Sequence, residues 1–187
     1  MQQNKVHRIY INMNIASDDK VICNKEVSHR IKNVLRIKNR DRIILFNGNG
    51  EEYLGIVKND KLTEIKIIEK KESIRPIRKK ISLAQCVTNS RHMDFSIQKA
   101  VELGINSIIP ILSERSLSKR HDKKIEHWEK VIIHAVEQSH AVIIPELKPA
   151  INFIEFIEKF KNKDNTKILL DKTGGSFNYE KYKSKNF

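Results

Sequence analysis

ISLAQCVTNSRHMDFSIQKAVELGINSIIPIL, residues 81–112, decides the fold of the second part of the chain. Residues 81–87 form a near-continuous apolar run, the pattern of a strand covered on both faces. Residues 91–103 place Met93, Ile97, Ala100 and Val101 on one side of a helix, and Gly104 stands where a helix stop favours a left-handed residue. Residues 107–112 (SIIPIL) return to a short apolar strand, with Pro110 near its end. Strand, helix and strand in this order make a parallel crossover unit. Further along, residues 122–139 read as a long amphipathic helix with Ile125, Trp128, Ile132, Ala135 and Val136 on its apolar face. Residues 152–160 read as a shorter helix and 167–170 (KILL) as a third strand. Residues 178–187 are polar and basic and read as a frayed tail.

Toward the amino terminus the pattern changes. Residues 70–80 (KKESIRPIRKK) are charged and contain Pro76, which places a linker over 70–79. Before it, residues 8–12 (RIYIN), 42–46 (RIILF), 52–57 (EYLGIV) and 62–69 (LTEIKIIE) read as strands, and 26–36 as a helix with Val27, Ile31, Val34 and Leu35 at helical spacing. The repeated Asn-Gly of 47–50 supplies the positive-φ residues of a tight hairpin turn. Short strands with a single helix predict a small barrel. The expected fold class is therefore α/β overall, with a β-barrel over residues 1–72 and a parallel-sheet α/β domain over 73–187.

Composition bounds the function. The 187 residues include 36 Lys and Arg against 23 Asp and Glu, a formal net charge of +13, with 39% hydrophobic residues. That is apolar enough for a packed core. The charge favours a polyanionic partner such as nucleic acid or an anionic membrane surface, although a solvated basic surface meets it as well. No apolar run approaches the length of a membrane span, and the first residues lack a secretory core. The two cysteines, Cys23 and Cys86, have no metal-like spacing and read as reduced thiols of a cytoplasmic protein. Neither a Gly-rich dinucleotide loop nor a Walker motif follows residues 81–87. The seven histidines form no metal motif; His127 and His134 lie two turns apart on one helix. No metal site is expected.

Two groupings carry candidate chemistry. Arg8 with Tyr10, and Arg36 after Val34-Leu35, are cations beside apolar positions in the barrel half. They suit a grip on phosphates, and equally a solvated strand edge. Glu137-Gln138-Ser139 ends the long helix, where a polar cluster caps the helix or faces a cleft. Thr88-Asn89-Ser90-Arg91 adds backbone donors and an arginine ahead of the first helix of the second part.

Several segments resemble the RsmE family, the ribosomal RNA small-subunit uridine N3-methyltransferases. His7-Arg8-Ile9-Tyr10 is similar to the family's opening strand, His29 with Val34-Leu35-Arg36 to its His…Val-Leu-Arg helix, and Leu45-Phe46-Asn47-Gly48 to its hairpin. Residues 93–115, MDFSIQKAVELGINSIIPILSER, resemble the family's Met-Glu-x-x-Ile-Gln-Lys-x-x-Glu-Leu-Gly-Val…Pro…Ser-Glu-Arg. Trp128-Glu129-Lys130-Val131, then Ala135-Val136-Glu137-Gln138-Ser139 and Pro145-Glu146, resemble its Trp-x-Lys-Ile…Ala-x-Glu-Gln…Pro-Glu segment. The resemblance implies an RNA-binding PUA-like barrel followed by a SPOUT methyltransferase domain with a deep knot. It implies a homodimer that binds S-adenosylmethionine and methylates N3 of a uridine in 16S ribosomal RNA. Small-subunit RNA or the ribosomal particle is then the partner.

On that resemblance, Arg8, Tyr10 and Arg36 are the RNA-binding candidates, and Ser90, Arg91, Glu137 and Gln138 line the active-site cleft. No catalytic base and no cofactor-binding residue is identified. The family's Gly-Pro-Glu-Gly-Gly loop and its later Leu-Gly-x-Arg-Ile-Leu-Arg-x-Glu-Thr-Ala segment have no counterpart; Lys172-Thr173-Gly174-Gly175 does not replace them. His140-Ala141-Val142-Ile143 stands where the family has an arginine. The expectation is a member cut short before the knot, with an incomplete SPOUT domain. An RNA-binding module without catalysis, or a non-functional remnant, stays open as an alternative.

Overall fold

Five strands build the first sheet: β1 (His7–Tyr10), β2 (Lys20–Ile22), β3 (Arg42–Phe46), β4 (Glu52–Asn59) and β5 (Thr63–Lys71). They lie in the order β1-β3-β4-β5-β2, with β1 parallel to β3 and the other pairs antiparallel. The computed structural model describes residues 6–15, 20–71, 80–114, 116, 122–162 and 166–175. The chain divides into two units. Unit 1 is Met1–Pro76 with Glu129–Ile144, and unit 2 is Ile77–Trp128 with Pro145–Phe187. The predicted linker lies largely outside the described residues, and the predicted tail lies wholly outside them.

In unit 1 β4 and the first half of β5 alternate in burial, while Ile43–Phe46 of β3 are buried throughout. Ile43, Leu45, Tyr53, Val57, Ile65 and Ile67 point into one core with Ile9 and Ile31. The expected hairpin forms between β3 and β4, and Gly48 and Gly50 both take positive φ, 83° and 97°. The register of β4 on β5 shifts at Leu54/Gly55, a bulge. The helix expected over 26–36 is shorter and of two kinds. α1 (Lys25–His29) starts at Asn24, whose side chain accepts the Val27 N–H, and then widens into a π-turn over Arg30–Val34. Leu35 N–H reaches back to Arg30 O, five residues away. The extra residue in that turn rotates the later positions: Ile31 is fully buried while Val34 is 64% exposed.

Unit 2 has strands β6 (Ser82–Cys86), β7 (Ser107–Leu112), β8 (Glu146–Leu147) and β9 (Ile151–Asn152). β6, β8 and β9 each run parallel to β7. Helix α2 (Ser90–Glu102) is capped by Asn89, whose side chain accepts the His92 N–H, and Gly104 follows it with φ 82°. α3 (Asp122–Ser139) matches the sequence reading. Its residues through Trp128 count with unit 2, and those from Glu129 with unit 1. α4 (Phe153–Phe160) is capped by Asn152.

Two expectations for unit 2 are corrected. The strand at 81–87 is not covered on both faces: Ser82, Ala84 and Cys86 are exposed, and Leu83 and Gln85 are half-buried. Among the described residues β6 pairs with β7 alone, which places it at the edge of the sheet. Residues 167–170 form no strand, since no ladder pairs them, and Leu169 and Leu170 are almost fully exposed.

Candidate RNA-binding site in unit 1

Arg8 leaves β1 toward the end of α3 and is 7% exposed. Its Nε donates to Glu52 Oε1 at 2.8 Å, and Nη2 lies 2.6 Å from the same oxygen. Nη1 donates to the carbonyls of Val136 and Glu137 at 3.0 and 3.3 Å, and Nη2 to Ala141 O at 2.8 Å. The guanidinium also stacks over Phe46, 4.6 Å from the ring centroid. The last carbonyls of a helix have no internal partner, and a cation there satisfies them and the helix dipole together. Arg8 is thus the C-terminal cap of α3. Each of its guanidinium nitrogens has a partner within unit 1, so a phosphate could reach it only after these bonds broke.

Glu137 meets the same strand from the other side. It is 4% exposed; its Oε1 accepts Tyr10 N–H at 2.9 Å and Arg30 Nη1 at 3.0 Å, and its Oε2 pairs with Arg30 Nη2. A buried carboxylate needs such partners to stay charged. Gln138, one residue on and about 100° round the helix, is exposed. The structure therefore brings Arg8, Tyr10 and Glu137 together in unit 1. Ser90 and Arg91 are exposed in the first turn of α2, in unit 2.

Arg36 sits elsewhere in unit 1, exposed, in the connection from the π-turn to β3. This connection carries Arg36, Lys38 and Arg40, and Arg42 opens β3; all four are exposed. Arg36 and Arg40 take φ of 53° and 72°, conformations that cost a side chain about 1 kcal/mol or more. The loop is held there by its own bonds: Ile37 N–H to Ile31 O, Lys38 N–H to Asp41 Oδ2, Arg40 N–H to Val57 O, and Asn59 Nδ2 to Ile37 O. Three cations on a pinned loop and a fourth at the start of β3 suit sequence-independent contact with a phosphate backbone. Sequence spacing singled out Arg36 alone. The pattern Arg-x-Lys-x-Arg-x-Arg over 36–42 was the signal for its neighbours. Nothing local marked Arg30 or Glu52, whose partners lie far along the chain.

Beside Tyr10 a cavity of about 410 Å³ opens within unit 1, lined from β1, β2, α1 and the last part of α3. The Tyr10 ring packs against Phe46 with centroids 5.8 Å apart. Burial raises the Tyr10 phenol, so it stays neutral, and burial pushes the Cys23 thiol up to about 11. Cys23 and Cys86 are both free thiols.

The chain thus joins a β-rich unit that carries an exposed run of cations to a unit built on a parallel sheet. Residues 75–186 match the model of the RNA methyltransferase domain family, and residues 18–69 that of the RNA methyltransferase PUA domain. The chain belongs to the RsmE-type RNA methyltransferase family, with a PUA-like barrel and a SPOUT-type α/β domain. It is 34% identical to ribosomal RNA small subunit methyltransferase E of Buchnera aphidicola subsp. Schizaphis graminum over 150 residues, covering 77% of this chain and 61% of that protein. It is 35% identical to the protein of that name from Mesomycoplasma hyopneumoniae, covering 76% and 62%. The crystal structure of ribosomal RNA small subunit methyltransferase E from Neisseria gonorrhoeae, bound to S-adenosyl methionine, superposes with a TM-score of 0.76 at 29% identity, over 83% of this chain and 65% of that one. The chain therefore spans about three fifths of the length of these curated relatives.

Lys172-Thr173-Gly174-Gly175 does not match the family's glycine loop. A Cβ on Gly175 would meet nothing within 4 Å, and one on Gly174 only the backbone of Asp171. Among the described residues no group of three or more His, Cys, Asp or Glu is placed to hold a metal ion, and no helix is long and apolar enough to cross a membrane.

Proposed function

We propose that this chain serves S-adenosylmethionine-dependent methylation of N3 of a uridine in 16S ribosomal RNA, with unit 1 holding the RNA. The observation that carries this reading is the ordered match of PUA and RNA methyltransferase models along one chain. The pinned loop of Arg36, Lys38 and Arg40, with Arg42 at the start of β3, supports the RNA half of it. Its RNA-binding candidates are Arg36 and Tyr10, since Arg8 is spent on the helix end. Ser90 and Arg91, exposed at the head of α2, are its cleft residues in unit 2; Gln138 is the exposed one in unit 1, and Glu137 serves by holding Tyr10 in place. Small-subunit RNA or its particle is the partner, the cytoplasm the compartment, and a homodimer the assembly.

Because the family's Gly-Pro-Glu-Gly-Gly loop has no counterpart in residues 172–175, a second reading has its own support: RNA binding by this chain without methyl transfer. Incubation with labelled S-adenosylmethionine and small subunits lacking the modification separates the two. Label mapped to uridine N3 is the expected result for the first reading. RNA binding without label supports the second, and label at another atom refutes both.

A further inference from the structure

We propose that the cavity beside Tyr10 is a subsite that takes up one unpaired nucleobase of an RNA strand, with Lys130 on its phosphate. This rests on the reading of unit 1 as RNA-binding and adds to it a contact with a base rather than with the backbone.

The cavity's size, about 410 Å³, is within the range of small-ligand sites, about 300–1,000 Å³. Its walls are mostly apolar, from Ile11, Val21, Val27 and Ile133, and they include the Tyr10 ring. Unpaired bases are bound by stacking on aromatic rings, which tolerates any sequence because every base has a π-face. Tyr10 is preorganised for this. Its backbone N–H is tied to Glu137 and its ring is packed on Phe46, so little freedom is lost on binding. Asn24 spends its amide oxygen on the cap of α1, which leaves its NH₂ as a donor toward the cavity it lines.

Charge fits the same occupant. Two cations, Arg30 and Lys130, line the cavity with one acidic residue, the exposed Glu26 in the first turn of α1. Arg30 is neutralised by Glu137, whereas among the described residues no carboxylate pairs with the exposed Lys130. A thiol as basic as Cys23 adds no negative charge at neutral pH. An apolar slot with a fixed aromatic ring and an unpaired cation at its mouth matches a base with its phosphate.

The test uses the full chain and two fluorescent oligomers of ten units, a mixed-sequence single-stranded RNA and an abasic ribose-phosphate chain. Affinities are measured at one ionic strength and then across salt. The wild-type chain should prefer the RNA by about tenfold, the effect of one stacked base. Ile133→Trp, which fills the cavity, and Tyr10→Leu should remove that preference and leave the salt slope unchanged, while Tyr10→Phe should retain it. Equal binding of the two oligomers by the wild-type chain overturns the subsite. If Arg36→Ala then weakens both oligomers, the RNA-binding reading survives that loss; if neither oligomer binds, that reading falls as well. Displacement of the RNA's base-dependent binding by S-adenosylmethionine also overturns it, since the cavity would then hold the donor.

Discussion

Arg8→Met tests whether the barrel strand and the end of α3 are held together by one guanidinium. The side chain is 2% exposed and its partner Glu52 only 14%. Removing the cation leaves a mostly buried carboxylate without a counter-charge, a change that costs about 3–5 kcal/mol. It also removes the guanidinium donors of three carbonyls at and just past the helix end, of which Val136 O keeps the long bond from Ser139 Oγ. Against a total stability of about 5–15 kcal/mol this is a large fraction. With a urea slope of about 2 kcal/mol/M, the unfolding midpoint should fall by about 2 M. Circular dichroism at the helix band, followed through a urea titration, measures it. The paired variant Arg8→Met with Glu52→Leu removes both charges and should recover most of the loss, because an apolar pair of similar volume replaces a buried ion pair at little cost. A loss under about 1 kcal/mol for the single variant, or no recovery in the double one, would refute the capping role.

Arg36→Ala should lower RNA affinity and reduce the salt slope by about one unit, with stability changed by less than about 0.5 kcal/mol; an unchanged slope removes Arg36 from the phosphate contacts. Trp128 is 1% exposed, and Trp128→Ala should cost about 3–5 kcal/mol in thermal or urea unfolding. Gly55→Ala should destabilise by about 1–3 kcal/mol, since its Cβ would stand 2.4 Å from Ile65 Cγ2; a neutral outcome in the same titration would show that the bulge yields. Glu51 accepts hydrogen bonds from Lys70, Tyr53 and Asn49, and Lys70 above all holds its carboxyl down at about 2, against 4.5 for the free group. A carboxyl depressed on folding stabilises fully above pH 4.5, and that contribution is lost as the pH falls through about 2. Glu51→Gln should therefore flatten the acid limb of the stability curve in that window and leave it unchanged at neutral pH relative to pH 6.

Much of the fold was readable in local pattern because local pattern is what period and turn chemistry control. β5, β7 and α3 fall where alternation, apolar run and helical spacing put them. The Asn-Gly pairs made their hairpin because only positive φ closes it. The readings that failed depended on neighbours. An apolar run such as 81–87 implies two covered faces only if other elements supply the cover, and among the described residues β6 has one flanking strand. KILL at 167–170 has strand propensity but no ladder to join. Val34 fits the apolar face of an α-helix, and a π-turn carried it outward.

The site divides along the same line. The sequence by itself determined the class: strand and helix periods, a net charge of +13, and family segments in order. These are properties of residues near one another in the chain or summed over it. Only the tertiary structure decided that Glu129–Ile144 groups with the barrel unit, that Arg8 caps a helix 128 residues away, and that Tyr10, Arg30 and Lys130 line one cavity. The partner of a buried charge is chosen by three-dimensional proximity and the cost of leaving it unpaired, and neither is written in the spacing of the sequence.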